Sequence, residues 1–362
     1  MALAYKRIIV KIGSNVLTRE DGMPDLNRMQ HLVEQITQLK KLGKEIIVVS
    51  SGAVASGRSL IRVTEKADAV SSRQLLAAIG QVKLINTYSE LFARHQLICA
   101  QVLVTKEDFR DRLHYLNMKN CFQILLQNNV IPIVNENDVI SVTELMFTDN
   151  DELAGLIASM LNADALIILS NVDGIYNGDP KDPASEVIRE IDPANTQFTT
   201  NVSAQRSQFG RGGMLTKSHM ARKVAALGIA VHIANGKTGD VLLRLLEQQV
   251  VNTRFLPNKT ASGKKKWIAH SGHFAKGVVQ VNAGARQALT SAKATSLLPV
   301  GVMRILGDFQ KGDIIQLVDE ANKPIGLGIA EYGSAKAVER LGQKNHKALV
   351  HYDYLFLNPE TA

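Results

Sequence analysis

Short apolar runs alternate with helical patterns from residue 8 to residue 234, and this alternation limits the folds that the chain can adopt. The runs are bounded by small and polar turn residues and lie at 8–10, 46–49, 97–104, 130–134, 165–169 and 229–234. Between them, apolar residues recur every three or four positions over 32–39, 71–95, 112–127, 149–162 and 215–227. The runs are typical of buried strands and the recurring spacing is typical of helices. The alternation predicts an α/β fold with a mainly parallel sheet sandwiched by helices.

A different pattern follows residue 256. The segment PNKTASGKKK at 257–266 is polar and rich in turn formers, as links between domains often are. Short glycine-containing strand patterns come after it, at 277–281, 301–305, 313–318 and 325–330. Because a single hydrophobic core stops growing at roughly 250 to 300 residues, a chain of 362 residues is expected to form two domains. We predict an α/β domain at 1–256, a linker at 257–273 and a small β-rich domain at 274–354.

The composition is that of a globular protein, with 45% hydrophobic and 21% charged residues. No apolar run approaches the roughly 18 residues that a membrane span needs. The first residues enter a strand pattern at once and lack a secretory signal, so we expect a cytoplasmic protein that binds no membrane. Cys99 and Cys121 form no CxxC pair and have apolar neighbours, which predicts buried thiols rather than a disulfide or a metal site.

Polar side chains are concentrated after the apolar run at 130–134. In a sheet of this kind, ligands bind beyond the carboxyl ends of the strands. Asn and Asp are also common turn formers, and for any single residue that interpretation is equally good. The concentration of seven carboxylates and carboxamides predicts a site for a small charged substrate; they are Asn135, Glu136, Asn137, Asp138, Asp149, Asn150 and Asp151.

Three further segments carry groups that suit an anion. Lys11 stands at the end of the first strand, and Ser51 and Gly52 follow the second. The segment FGRGGMLTK at 209–217 opens a helix, where glycine amides can approach phosphate oxygens closely and the helix terminus favours negative charge. Alone, each segment has a plain alternative, respectively a surface lysine, a helix-capping serine and an ordinary loop. Together they predict a site that brings a phosphate and an amino acid together.

The common nucleotide-binding fingerprints are absent from the sequence. Gly236, Lys237 and Thr238 imitate the end of a Walker A loop, but Val231 stands where its first glycine is required. The first strand leads to KIGSN at 11–15, which is not a GxGxxG turn. The site must therefore handle phosphate in another way.

The motifs resemble those of the amino-acid kinase family. The matching segments are VKIGSN at 10–15, VSSGAVASGR at 49–58, SRQLLAAIGQ at 72–81, PIVNENDVI at 132–140, TDNDELAG at 148–155 and GRGGMLTK at 210–217. Within the family, NEND followed by DND is similar to the branch that phosphorylates glutamate. The tail segments at 277–289, 296–302 and 309–317 resemble a PUA domain.

The resemblance implies phosphorylation of the γ-carboxylate of L-glutamate by ATP with Mg²⁺, the first step of proline biosynthesis. It also implies a homo-oligomer, either a dimer or a tetramer, and feedback inhibition by proline. By the same resemblance, Lys11 and Lys217 would contact the transferred phosphoryl group and Asp151 would orient them. Five positions match those that bind glutamate, namely Ser51, Gly52, Asn135, Asp138 and Asn150.

The positions that the resemblance assigns to ATP lie in three places, and no residue is assigned as a metal ligand. They are Lys11, the pair Ser170 and Asn171, and the run Arg211, Gly212, Gly213, Met214, Leu215, Thr216 and Lys217. Two of them depart from the family pattern. The family usually has Thr-Asp where this chain has Ser170 and Asn171, and a small residue or threonine at the position of Arg211.

Three alternatives stand beside this hypothesis. One is another carboxylate or phosphate kinase of the same fold, and another is a kinase fold kept only as a sensor or structural subunit, although the intact lysines argue against the latter. The third is an RNA-binding protein, because PUA domains occur in such proteins. The net charge of +8 and the 13 Lys and Arg against 8 Asp and Glu in residues 264–362 favour it weakly. Next to the basic run KKK at 264–266, Trp267 is the aromatic residue that could stack on a base, which is little support for RNA binding.

Overall fold

The chain folds into two compact units, which join at Asn258 and Lys259. The computed structural model describes residues 3–62, 68–109, 112–141, 150–180, 182–192, 214–258, 263–269, 271–291 and 295–358. Four candidate site residues lie outside these ranges, namely Asp149, Arg211, Gly212 and Gly213. Within the described part, no helix combines the length and the apolar character that crossing a membrane requires.

The first unit contains an eight-stranded sheet. Its strands are β1 (Arg7–Ile12), β2 (Glu45–Ser50), β3 (Cys99–Val104), β4 (Ile131–Glu136), β5 (Ala165–Ser170), β6 (Glu190–Ile191), β7 (Ala230–Asn235) and β8 (Asn252–Phe255). They are ordered β3-β4-β2-β1-β5-β7-β8-β6, and every neighbouring pair is parallel except β7 with β8. This sheet confirms the prediction of a mainly parallel α/β fold.

Helices connect these strands, as the alternation predicts. They are α1 (Ser14–Leu17), α2 (Leu26–Lys41), α3 (Ala53–Arg58), α4 (Ala69–Ala93), α5 (Arg112–Gln127), α6 (Asn150–Leu161), α7 (Met214–Ala226) and α8 (Val241–Leu246). The two short helices α1 and α3 were not expected, because four and six residues are too few to show a helical repeat. Asp68 begins α4 by accepting hydrogen bonds from the backbone amides of Val70 and Ser71.

The alternation of side chains along β1 decides where its lysine lies. Ile8, Val10 and Ile12 point into the core that the strands share with α2, α4 and α8. Because successive side chains of a strand point to opposite faces, Lys11 leaves that core and faces the other side of the sheet. There α6 packs across β1, β2, β4 and β5. The first turn of α6 is therefore the element that Lys11 meets.

The second unit contains a five-stranded sheet ordered β10-β9-β11-β12-β13. Its strands are β9 (Gly277–Val281), β10 (Val302–Leu306), β11 (Ile314–Val318), β12 (Pro324–Ile329) and β13 (Leu355–Leu357). Three helices accompany them, α9 (Gly263–Ala269), α10 (Ala283–Thr290) and α11 (Ser334–Glu339). The region predicted as a linker thus contains α9, in which Lys266 and Trp267 are only 2% and 7% exposed.

Both cysteines are free thiols. Cys99, at the start of β3, is half-buried, whereas Cys121 is exposed on α5. The prediction that both thiols are buried is therefore wrong for Cys121. Apolar neighbours in the sequence do not fix burial on a helix, because residues one position apart point in different directions.

His232, in β7, is a buried histidine that the fold keeps neutral. Its Nε2 lies 3.0 Å from the Tyr5 hydroxyl and its Nδ1 lies 3.0 Å from Oδ1 of Asn252. Nδ1 donates to that carbonyl oxygen, which leaves Nε2 to accept from Tyr5. Burial, with a smaller effect from the charge of Arg254, lowers the pKa of His232 from 6.5 to about 4, against the opposing effect of the Asn252 hydrogen bond.

We predict that this histidine makes the first unit less stable as the pH falls from about 6.5 to about 4. The unfolded chain takes up a proton in this window and the folded chain does not, so the free energy of unfolding drops by roughly 3 kcal/mol. His232→Gln should flatten this dependence in urea unfolding followed by far-UV circular dichroism at pH 7 and pH 4.5. His31→Gln, an exposed histidine on α2, is the control and should keep the wild-type dependence. Equal dependence in all three proteins would contradict the prediction.

Candidate active site

The carboxyl ends of four neighbouring strands bring the predicted site residues to one edge of the sheet. In the order β4-β2-β1-β5, these strands are parallel, so Glu136, Ser50, Ile12 and Ser170 end them side by side. The backbone amide of Ser51 donates to the carbonyl oxygen of Ile12, and that of Gly13 donates to the carbonyl oxygen of Leu169. These bonds join the loops that leave β2, β1 and β5.

Asp151 stands between the two lysines that the sequence singled out. Its Oδ1 lies 2.6 Å from Nζ of Lys11, and its Oδ2 forms an ion pair with Nζ of Lys217. Lys11 comes from β1, Asp151 is the second residue of α6, and Lys217 is in the first turn of α7. The side chain of Asp151 is 0% exposed, whereas that of Lys217 is 14% exposed. Three separate elements thus meet at one buried carboxylate.

The lysines keep Asp151 ionised. Burial alone would raise its pKa, because a charge is poorly solvated away from water. The charges of Lys11 and Lys217 and their hydrogen bonds outweigh burial, and the pKa of Asp151 lies below its ordinary value. Two ammonium groups share one carboxylate, so the group carries one net positive charge and attracts an anion.

A chain of hydrogen bonds runs beside these charges. Nδ2 of Asn150 donates to Oγ of Ser51 at 2.9 Å and to Oδ1 of Asn135 at 3.1 Å. Nδ2 of Asn135 in turn donates to Oε1 of Gln81 at 2.9 Å. Because the Ser51 oxygen accepts from Asn150, its own hydrogen is left to donate, and it suits a carboxylate. Oδ1 of Asn150 remains an acceptor and suits an ammonium group.

Two glycines let α3 and α4 hold the Ser51 loop in place. Gly52 precedes α3 with φ of +110°, a conformation that side chains with a Cβ rarely adopt. In α4, a Cβ on Gly80 would lie 1.8 Å from the carbonyl oxygen of Ala53. Only a glycine permits this close packing of the two helices, which places α4 beside the loop.

The first turns of α4 also hold the loop that follows β4. Nη2 and Nε of Arg73 lie 2.7 and 3.2 Å from Oδ1 of Asp138, and Nη2 lies 3.9 Å from Oε2 of Glu136. Nε2 of Gln74 donates to the carbonyl oxygen of Val139 at 2.8 Å. Arg73, Gln74 and Gln81 are not among the residues predicted for the site, because a helical repeat does not show which of its polar residues face a ligand.

A second carboxyl group on α6 pairs with one lysine and acts on the charge of another. Glu152 lies 3.4 Å from Nζ of Lys106, which follows β3, and its charge also acts on Lys223 of α7. Burial lowers the pKa of Lys223 from 10.5 to about 8, with Glu152 opposing the shift and Lys106 adding to it. This group lay outside the sequence prediction. The ion pair joins α6 to the segment after β3, one residue beyond Asp151.

The positions predicted to hold a nucleotide lie beyond β5 and at the start of α7. Ser170 is buried at the end of β5 and Asn171 is exposed after it. The backbone amide of Gly236, after β7, donates to the carbonyl oxygen of Ser170 at 2.8 Å. Met214, Leu215 and Thr216 begin α7 and are partly or largely exposed. An exposed helix start that also carries Lys217 is suited to phosphate.

The donor set around Asp151 does not form a protein-held metal site. Both of its oxygens are taken by lysines. In the ranges that the model describes, no three His, Cys, Asp or Glu residues cluster as metal ligands would.

Comparisons with known proteins relate both units to established families. The model of the amino acid kinase family matches residues 6–235, and that of the PUA domain matches residues 277–351. A Bacteroides thetaiotaomicron protein named glutamate 5-kinase is 56% identical over 360 residues, which are 99% of this chain and 100% of that protein. A Chlorobaculum tepidum protein of the same name is 49% identical over 356 residues, 98% of each chain.

A solved structure shares the fold of the first unit at low identity. Carbamate kinase from Giardia lamblia, bound to AMP-PNP, has a TM-score of 0.51 and 20% identity. The match covers 70% of this chain and 99% of that one. The likeness is one of fold.

Proposed function

Because the chain belongs to the amino acid kinase family, we propose that it transfers the γ-phosphoryl group of ATP to the γ-carboxylate of L-glutamate. The products are glutamyl 5-phosphate and ADP, and the reaction is the first step of proline biosynthesis. The observation that carries the proposal is the pair of lysines on Asp151, next to the polar groups of Ser51 and Asn150. The names of the relatives, at 56% and 49% identity, support the choice of glutamate.

The chemistry requires positioning and charge neutralisation rather than a base. A free glutamate side chain has a pKa of about 4.3 and is already ionised at neutral pH. The obstacle is its repulsion from the triphosphate. An ammonium group about 4 Å from a phosphoryl oxygen contributes roughly 4 kcal/mol of attraction at an effective dielectric constant of 20. Lys11 and Lys217 supply two such groups, which stabilise the charge that spreads over the transferred phosphoryl oxygens.

The two substrates approach this pair from different sides. The hydroxyl of Ser51 donates to a carboxylate of glutamate, and Asp138 receives its α-ammonium group. Asn135 orients Asn150, and Gly52 lets the Ser51 loop turn. The nucleotide lies along Ser170, Asn171 and the start of α7. Mg²⁺ would enter with the nucleotide and would supply further charge neutralisation beside Lys11 and Lys217.

The acceptor test uses ATP with glutamate, aspartate, acetylglutamate, carbamate and UMP in parallel. We expect ADP formation with L-glutamate alone. Hydroxylamine should convert the product to a hydroxamate, because an acyl phosphate is attacked readily by such a nucleophile. Turnover of another acceptor in preference to glutamate would overturn the proposal, and so would an ADP-forming reaction with glutamate that gives no hydroxamate.

Loss of Lys217 should affect the chemical step. We predict that Lys217→Ala lowers kcat roughly 1,000-fold while KM for glutamate changes little, because its charge acts mainly in the transition state. Circular dichroism should show an intact fold. Lys41→Ala, which removes an exposed lysine at the end of α2, is the control and should keep wild-type kcat. A Lys217→Ala protein with near-normal turnover would remove this lysine from the mechanism.

We also propose that the chain forms a homo-oligomer through the β3 edge of the sheet. β3 ends the sheet, α4 packs against β3, and α5 packs against the next strand, β4. Both helices carry large exposed apolar side chains. Val82 is 60% exposed, Ile98 69% and Ile124 50%. Exposed apolar residues at a sheet edge are typical of an interface, and a second copy of the chain is the occupant that we propose.

A charge at this edge should dissociate the oligomer. Val82→Glu and Ile124→Glu are each expected to raise the dissociation constant at least about tenfold, because a carboxylate would be buried without a partner. Sedimentation velocity across a concentration series measures this. Leu42→Glu, at an exposed apolar position beyond the end of α2, should leave the mass unchanged. An unaltered mass in both edge variants would place the interface elsewhere.

Two further expectations complete the proposal. Proline, which carries an α-carboxylate and a positively charged amine, is proposed as an inhibitor on the resemblance alone.

RNA is not proposed as a partner of the second unit. Trp267 is 7% exposed and Lys266 is 2% exposed, so neither is available to bases or phosphates on the surface.

A further inference from the structure

Arg73 and Asp138 form an ion pair in which each side chain keeps hydrogen-bonding atoms that the other does not occupy. Nε and Nη2 of Arg73 both address Oδ1 of Asp138. Neither Nη1 of Arg73 nor Oδ2 of Asp138 has a hydrogen bond with any residue that the structure describes. A guanidinium group has five N–H donors, and an ionised carboxylate has two acceptor oxygens. The pair therefore keeps donors and an acceptor available, side by side.

Burial shows on which side the pair is open. The side chain of Asp138 is 10% exposed and that of Glu136 is 4% exposed, whereas that of Arg73 is 36% exposed. The carboxyl groups are thus enclosed and the guanidinium is open. A ligand that reaches the pair meets positive charge at Arg73 and a carboxylate oxygen next to it.

The pair is held in place before any ligand binds. Arg73 and Gln74 are adjacent in α4, and Gln74 holds the backbone of Val139, next to Asp138. Asp138 follows Asn135 by three residues, and Asn135 is joined through Asn150 to the hydroxyl of Ser51. The open pair and the Ser51 hydroxyl therefore belong to one site.

We propose that Arg73 binds the α-carboxylate of the amino-acid substrate, while Asp138 binds its α-ammonium group. This inference rests on the proposed function and names the residue that selects an acceptor with a free α-carboxylate. Guanidinium matches a carboxylate with two parallel hydrogen bonds, and such charge-assisted bonds are stronger than neutral ones. The negative α-carboxylate of the substrate thus meets the positive Arg73, and its positive α-ammonium group meets the negative Asp138.

In an alternative role, Arg73 would contact Asp138 but not the substrate. In that case it would neutralise the buried carboxyl groups and fix the position of Asp138 without touching the substrate. The two roles differ in one respect. Contact with the α-carboxylate makes the effect of Arg73 depend on that group, whereas a positioning role affects every substrate with an α-ammonium group equally.

The test compares L-glutamate with its α-amide, in which a neutral carboxamide replaces the α-carboxylate. Wild-type protein, Arg73→Gln and Arg73→Lys are each assayed for kcat/KM on both. We expect Arg73→Gln to lose roughly 100-fold on glutamate, the value of a charge-assisted pair, and less than about threefold on the α-amide. KM for ATP should stay within about twofold. If the α-amide is not turned over, its inhibition constant against glutamate replaces kcat/KM.

The outcomes separate the hypotheses. Equal losses on both compounds would make Arg73 a positioning residue and overturn the inference, as would an unchanged value on glutamate. Should Arg73→Gln fail to fold, Arg73→Lys serves as the test. This variant keeps the positive charge but cannot make two parallel hydrogen bonds to a carboxylate, so we expect it to prefer glutamate over the α-amide less strongly than wild type does. Arg94→Gln, an exposed arginine just beyond α4, is the control and should behave as wild type. A wild-type protein that phosphorylates some other acceptor but not glutamate would contradict the proposed function instead.

Discussion

The carboxylate of Asp151 holds together the elements from which the site is built. An ionised group that is 0% exposed is stable only when its charge is compensated. Lys11 of β1 and Lys217 of α7 provide the compensation, and neither lysine lies near Asp151 in the sequence. The fold therefore fixes two ammonium groups side by side before a substrate arrives. Charges that are already in place need not be reorganised during the reaction, which is the main way a protein can assist phosphoryl transfer.

Much of this arrangement could be predicted from the sequence because it follows from local periodicity. Apolar runs of strand length and the helices between them gave the parallel sheet, and parallel strands bring their carboxyl ends to one edge. Lys11 faces α6 because side chains alternate along β1. The resemblance to the amino acid kinase family and to a PUA domain is confirmed by matches over residues 6–235 and 277–351. The roles of the individual site residues stay predictions.

The features that were missed depend on contacts between distant parts of the chain. Arg73 and Asp138 are 65 positions apart, and the helical pattern of α4 does not show which side of the helix meets β4. The short helix α3 packs closely against α4 because Gly80 has no side chain that would clash with Ala53. A glycine within a helical pattern does not show which residue packs against it. The region 257–273 is predicted as a linker from its polar residues; its helix α9, in which Trp267 is 7% exposed, has too few residues to show a helical repeat.

The distribution of charge along the site gives a reason for the choice of acceptor. At the phosphate end, Lys11, Asp151 and Lys217 together carry one net positive charge. At the other end, Arg73 faces the carboxyl groups of Asp138 and Glu136, so that end has no excess positive charge. A dicarboxylic acid without an amine would bring a negative charge to each end and find compensation at only one. In the proposed binding mode, an amino acid brings its ammonium group and α-carboxylate to Asp138 and Arg73, and its side-chain carboxylate lies toward the lysines. Blocking the amine by acetylation would remove the positive charge and leave Asp138 without a partner from the ligand, which disfavours an acetylated acceptor.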